Sequence, residues 1–250
     1  MSIDPELLAR HLRQQAELGG RELYLDRLEP AALLSALAGK APVSAPTVIH
    51  DRTAPASPRA KPPAGAGSLV SLGRQAAGCK LCRLHAGRTN VVFGEGDPEA
   101  DVVVVGEAPG QEEDRTGRPF VGRAGKLLDL MLMSIGLPRP RVYICNVLKC
   151  RPPENRNPFA DEVEHCTTTF LHGQLESIAP RVMLAVGKFA AQVLCASQES
   201  IGRLRGRVHM YRGTPLVVSY HPAYLLRSPN MIRVAWQDLQ LVRRMLDEQA

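Results

Sequence analysis

The residues best suited to chemistry fall into four groups. The first is made of cysteines: Gly78-Cys79-Lys80-Leu81-Cys82 is a C-x2-C pair, and Cys150 and Cys166 follow much later, sixteen positions apart. Thiolates are soft, anionic ligands that suit zinc or an iron–sulfur cluster. A zinc ribbon usually offers a second close C-x2-C pair, and this chain has none. One tight pair plus two separated cysteines fits a cubane cluster, in which each of four irons takes one thiolate. The alternative is a redox-active Cys79–Cys82 pair with the others as buried thiols, although no thioredoxin-like strand–helix context surrounds it. Cys145, inside an apolar strand, and Cys195, at the end of an apolar helix, read as small core residues.

The other three groups are polar blocks that follow apolar runs. Gly106-Glu107-Ala108-Pro109-Gly110-Gln111-Glu112-Glu113-Asp114 leads into Gly117-Arg118-Pro119-Phe120-Val121-Gly122. It reads as a strand ending in a tight turn, then a glycine-bounded loop with an exposed Phe120, where a flat ligand can approach the backbone. Acids at such a strand end can position a water or stabilise a cationic transition state. In Asn146-Val147-Leu148-Lys149-Cys150-Arg151-Pro152-Pro153 the amide offers both a donor and an acceptor to a base edge. In Ser219-Tyr220-His221-Pro222-Ala223-Tyr224-Leu225-Leu226-Arg227 a histidine precedes a loop of exposed apolar residues and an arginine. That pattern suits a base-flipping enzyme whose apolar tip wedges into a duplex while Arg holds phosphate. Each block also has a bland reading: a core Phe120, solvated acids, a structural histidine.

Four Val-rich apolar runs must hold these blocks: Asp101–Gly106, Arg141–Val147, Arg181–Gly187 and Thr214–Tyr220. Bounded by Gly or Pro, they read as strands buried on both faces. Helical stretches at Gly122–Ile135, Pro158–Ile178, Lys188–Leu194 and Ala235–Glu248 lie between or after them, and Arg203–Arg212 reads as a small hairpin before the last strand. The alternation predicts an α/β fold, a three-layer α/β/α sandwich with a four-stranded, mainly parallel sheet. Its chemistry belongs at the carboxyl ends of the strands, where the three blocks fall.

Ahead of this domain, assigned to residues 69–250, stand two segments of different composition. Residues 1–39 read as a helical extension, with a helix start at Asp4-Pro5-Glu6 and a second helix around Pro30–Leu37; residues 40–68, rich in Pro, Ala, Ser and Gly, read as a disordered linker. The 250 residues carry 31 basic and 25 acidic side chains, a net charge of +6, which favours acidic partners, nucleic acid first. No signal peptide and no apolar run of about 18 residues is present, so a cytoplasmic protein without a membrane partner is expected, and six cysteines there are not structural disulfides.

The segments "GEAPGQEEDRTGRPFVGRAGKLLD", "NVLKCRPPENRNP" and "HPAYLLR", together with the four cysteines, resemble the type-4 uracil-DNA glycosylases of the uracil-DNA glycosylase superfamily. The resemblance covers Leu69 to the C-terminus and implies a [4Fe–4S] cluster on Cys79, Cys82, Cys150 and Cys166. It implies hydrolysis of the N-glycosidic bond of deoxyuridine in single- or double-stranded DNA, in base excision repair. Glu107 falls at the acidic position near the attacking water, Phe120 where the flipped uracil is stacked, Asn146 where the pyrimidine edge is read, and His221 at the contact to uracil O2. Leu225, Leu226 and Arg227 fall in the loop that enters the minor groove. Glu113 falls near C5, and Ala108 and Gly110 complete the substrate-binding turn. Ala108 stands where other branches of the superfamily place a water-activating Asp, so electrostatic stabilisation rather than one strong base is expected. A monomer is expected, with residues 1–65 available to a repair or replication partner. A cluster-bearing module that binds or covalently traps uracil-DNA without turnover is the competing reading. Binding alone does not need the Glu107–Phe120–Asn146–His221 set, and the basic insertion of the trapping branch is missing from "CRPPENRNPFADE".

Overall fold

The computed structural model describes residues 66–248; the helices expected near Asp4 and Pro30 and nearly all of the linker lie outside them. The described chain opens with α1 (Ala66–Ala77), which begins three residues inside the segment read as linker. Then come β1 (Glu95–Gly96), β2 (Val102–Gly106), α2 (Gln111–Thr116), α3 (Arg123–Met133) and β3 (Tyr143–Asn146). They are followed by α4 (Ala160–Cys166), α5 (His172–Ile178), β4 (Val182–Val186), α6 (Lys188–Leu194) and α7 (Ile201–Leu204). β5 (Val208–Tyr211), β6 (Thr214–Ser219), α8 (Pro222–Arg227) and α9 (Ile232–Asp247) complete it. No helix among the described residues is long and apolar enough to cross a membrane.

The four Val-rich runs form the parallel centre of one sheet, in the order β3-β2-β4-β6. The sheet has six strands rather than the four expected, because antiparallel strands close both edges: β1 beside β3 and β5 beside β6. Neither shows in the sequence as an apolar run. β1 is two residues long, and β5 alternates exposed and half-buried positions. The hairpin expected within Arg203–Arg212 is displaced: β5 pairs with β6 itself, and residues 201–204 are the helical turn α7.

The period of two along each strand explains the layers. In β2, Val103 and Val105 face one core with Leu171, Leu175 and Ile178 from the α4–α5 region and Ala190 and Leu194 of α6. Val102 and Val104 face the other with Leu128 and Leu132 of α3 and Leu239, Val242 and Leu246 of α9. Each fully buried Val or Leu contributes ~1.5–3 kcal/mol, so continuous apolar strands covered on both sides are what make the α/β/α sandwich stable. The helix expected over Pro158–Ile178 is α4 and α5 joined by a π turn, Thr167–Leu171, which starts immediately after Cys166. Such widened turns let one helix face change direction.

A largely buried ion pair fastens α9 to the turn after α7. Arg205 holds the fully buried Asp238 of α9 with two bonds of 2.8 and 3.0 Å and donates to the Val234 carbonyl. Burial pushes the Asp238 carboxyl upward against the pull of Arg205. Arg205→Met strands that carboxyl in the core; it can take up a proton, so the loss is set at the lower end for a broken buried pair, about 3 kcal/mol of unfolding free energy in a urea titration.

Candidate active site and cysteine cavity

Because β2, β3 and β6 are parallel, their carboxyl ends share one edge of the sheet, and the three polar blocks leave from there. Gly106, the last residue of β2, is registered opposite Asn146, the last of β3. The pairing continues past the strands, with Val147 N–H donating to the Gly106 carbonyl and Leu148 N–H to that of Glu107. A β-carbon on Gly106 would lie 2.3 Å from Asn146 Oδ1 and 2.5 Å from Phe120 Cζ. These two side chains therefore close over the same backbone, and only glycine leaves them room. His221 completes the group, its ring 5.6 Å from that of Phe120.

The polar state of this pocket is unusual. Asn146 is 1% exposed, and its Oδ1 has no hydrogen-bond partner. An orphaned buried acceptor costs ~1–3 kcal/mol, which a ligand N–H would recover. His221 Nδ1 accepts from Ala223 N–H at 3.1 Å as the cap of α8, so the proton of the neutral ring sits on Nε2. Burial, aided by Arg227, holds that ring neutral down to about 4. Burial likewise raises the Glu107 carboxyl to about 7.

Phe120 is buried, not exposed as expected, and has the left-handed φ of 49°. A conformation that costs ~1–3 kcal/mol must be held by its surroundings. Arg139 donates to the Pro119 and Phe120 carbonyls and bonds Asp129 at 3.0 Å. Glu113 accepts from Val121 and Gly122 N–H, both at 2.9 Å, and from Gly110 N–H at 3.2 Å. Glu113 Oε1 thereby ties α2 to the Phe120 loop, while Oε2 closes on Gly110, the cap of α2. The same bond occupies the Gly110 N–H, and Ala108 packs against the first core. Leu225 departs from the exposed position expected of it. It is 0% exposed, in the core with Leu128, because the segment is a short helix rather than a loop; Leu226 and Arg227 face outward.

Cys79, Cys82, Cys150 and Cys166 line one partly open cavity, together with Arg88 and Lys149. Arg88 donates to Cys150 Sγ at 3.2 Å and Lys149 N–H to Cys166 Sγ at 3.3 Å. Outside the cavity, Arg83 pairs with Asp161 at 3.0 Å, and Arg83 and Arg156 both lie against the Phe159 ring. Arg156 in turn holds the buried Glu162 at 2.6 and 2.9 Å, so the Cys79–Cys82 segment is clamped to the helix that carries Cys166. Burial raises the thiols of Cys82, Cys150 and Cys166, the last to about 11. No three His, Cys, Asp or Glu side chains among the described residues are grouped to hold a single metal ion. Four sulfurs lining one cavity, two of them receiving N–H donors, are the donor set of a thiolate-bound group. Cys145 and Cys195 lie apart from it: Cys145 is a core residue of β3, and Cys195, just past α6, is partly buried against the same core.

The model of the uracil DNA glycosylase superfamily matches residues 93–240, more than half of the chain, and the chain belongs to that superfamily. Within it, the similarity runs to type-4 uracil-DNA glycosylases. The one from Archaeoglobus fulgidus is 46% identical over 172 residues, 66% of this chain and 86% of that protein. The one from Thermotoga maritima is 43% identical over 175 residues, 68% and 91% of the two chains. The one from Sulfurisphaera tokodaii is 40% identical over 187 residues, 71% and 84%.

Neither Gly106 as the floor of the pocket nor Arg139 as the anchor of its loop is marked in the sequence. The short contact of Gly106 is set by a strand register that no local pattern displays. Arg139 stands in "LPRPR", where its charge gives no sign of its partners. A further close approach lies at Gly125 of α3, where a β-carbon would fall 1.8 Å from the Phe120 carbonyl oxygen. Gly125→Ala must push the Phe120 loop away. The expected cost is about 1–3 kcal/mol in denaturant unfolding, with faster proteolysis between residues 117 and 122.

Proposed function

We propose that this chain is a uracil-DNA glycosylase, hydrolysing the N-glycosidic bond of deoxyuridine in DNA to leave free uracil and an abasic site. The observation that carries the reading is the unpartnered, buried Asn146 Oδ1, next to an aromatic ring and to a histidine whose Nε2 is the protonated nitrogen. Uracil presents an N3–H donor flanked by two carbonyl acceptors. The Asn146 amide can accept from N3–H and donate to O4, Phe120 can cover one face of the ring, and His221 Nε2–H can donate to O2. A base must leave the duplex to reach such a site, at a cost of a few kcal/mol that is smallest for a mispaired or single-stranded base.

Cleavage then separates charge: the sugar becomes oxocarbenium-like and the base leaves as an anion. A neutral imidazole suits this step, because its Nε2–H bond to O2 strengthens as negative charge builds, without first giving up a proton. Glu107, once ionised, favours the cationic sugar and orients water. The outward Leu226 and Arg227 are placed to meet the DNA. The support for Leu225 in that role is gone, so the wedge falls to Leu226 and its exposed neighbour Tyr224.

The four-cysteine cavity fits the [4Fe–4S] cluster that the resemblance implies. Such a group would supply a rigid, multiply bonded junction between the two cysteine segments. Removal of one ligand by Cys150→Ala is expected to abolish absorption near 400 nm and lower the melting temperature.

The primary test is incubation of the iron-loaded protein with a uracil-containing oligonucleotide and a thymine control, then alkaline cleavage at abasic sites. Strand scission at uracil alone is the expected result; an intact uracil strand would refute the activity. Asn146→Ala and His221→Ala are each expected to lower the single-turnover rate by about tenfold or more, equivalent to over ~1.4 kcal/mol of transition-state stabilisation. The rate should also depend on pH. Glu107 is protonated below about 7 and ionised above it, so the rate rises through that pH and then levels. His221 stays neutral across this range, since its ring protonates only near 4. Glu107→Gln should remove the rise; a wild-type rate already flat from pH 5 to 9 contradicts the role given to Glu107.

A further inference from the structure

Lys149 is 1% exposed and is among the largest fully buried side chains. Buried cations normally face a carboxylate. Arg205 does so with Asp238 and Arg156 with Glu162, whereas Lys149 forms no ion pair among the described residues. Instead its Nζ donates to the Asn146 carbonyl at 2.6 Å, with the Phe93 ring 5.9 Å away. Its backbone N–H donates to Cys166 Sγ, and its carbonyl accepts from Val92 N–H at 2.8 Å. The next residue is Cys150. One residue thus bonds the peptide of the base-reading Asn146 at one end and the cysteine ring at the other.

We propose that Lys149 is a positioning residue that couples the cysteine ring to the base pocket: the ring fixes its backbone, and its side chain fixes the Asn146 peptide. The inference rests on the uracil-pocket reading above. Asn146 needs such a hold because it stands at the end of β3, where the ladder to β2 gives way to single backbone bonds. Its amide must present a donor and an acceptor in one orientation, and small displacements at a reacting geometry are costly.

The test uses the full-length, iron-loaded protein and the variants Lys149→Met, Lys149→Arg, Asn146→Ala and the double variant Lys149→Met/Asn146→Ala. Lys149→Met is expected to keep the 400 nm absorption and the KM for DNA within about twofold, and to lose about tenfold in kcat. Inhibition by free uracil should weaken in parallel. Because Lys149 acts through Asn146, the double variant should be no slower than Asn146→Ala alone, a non-additivity that a general structural role does not produce. Lys149→Arg, which keeps donor and charge, should retain more of the rate than Lys149→Met. An unchanged kcat in Lys149→Met, or additive losses in the double variant, overturns the proposal. Loss of iron from both Lys149→Met and Lys149→Arg also overturns it, since the residue then serves the ring alone. If the wild-type protein releases no uracil, it is the pocket reading that fails, and this inference goes with it. A working wild type beside an indifferent Lys149→Met sinks the inference by itself.

Discussion

In the register between β2 and β3, Gly106 lies opposite Asn146, and the rest of the site is arranged around that pairing. The absent side chain at Gly106 lets the Asn146 amide and the edge of Phe120 meet over bare backbone. A shift of one residue would turn every strand side chain to the opposite core. The register is therefore fixed by burial of the whole sheet rather than by anything in the pocket. The pocket takes its geometry from a core whose apolar burial is worth far more than the local penalties it carries, namely an unpartnered amide oxygen, a left-handed phenylalanine and two ionisable groups held against their charged forms.

Those penalties have a common sign. Burial pushes Glu107 towards its neutral form near pH 7 and keeps His221 neutral almost everywhere. A site so poor in fixed charge is matched to a reaction that creates charge, because dipoles already aimed at the departing atoms need no reorganisation. The surrounding arginines do different work. Arg139 grips carbonyls of the Phe120 loop, Arg88 reaches a sulfur, and Arg156 satisfies a buried glutamate.

The central architecture was legible in the sequence because four strands covered on both faces must be continuous apolar runs. The edges were not, since a two-residue strand and a strand half in solvent carry no such signature. Asn146 and His221 stood out because a polar residue ending an apolar run interrupts a strong pattern. Glu113 has a role that local pattern does not display: a carboxylate beside a glycine-rich turn serves equally well to bind a ligand or to collect the turn's own N–H groups, and the folded loop shows it collecting those of Val121 and Gly122. Leu225 and Leu226 are neighbours of one type. Their separation into core and surface follows from a helix of six residues that a loop reading could not contain. Lys149, in the polar block that follows β3, carries no sequence sign that its side chain is buried.

His221 is both the cap of α8 and a wall of the pocket. Its proton is placed by a main-chain N–H and not by a carboxylate, so the tautomer is as rigid as the first turn of that helix. The same turn leads to the outward Leu226 and Arg227. Any tilt of α8 caused from outside must therefore rotate the imidazole over Phe120, and a pressure on the surface of the molecule becomes a change in aim at its reacting end.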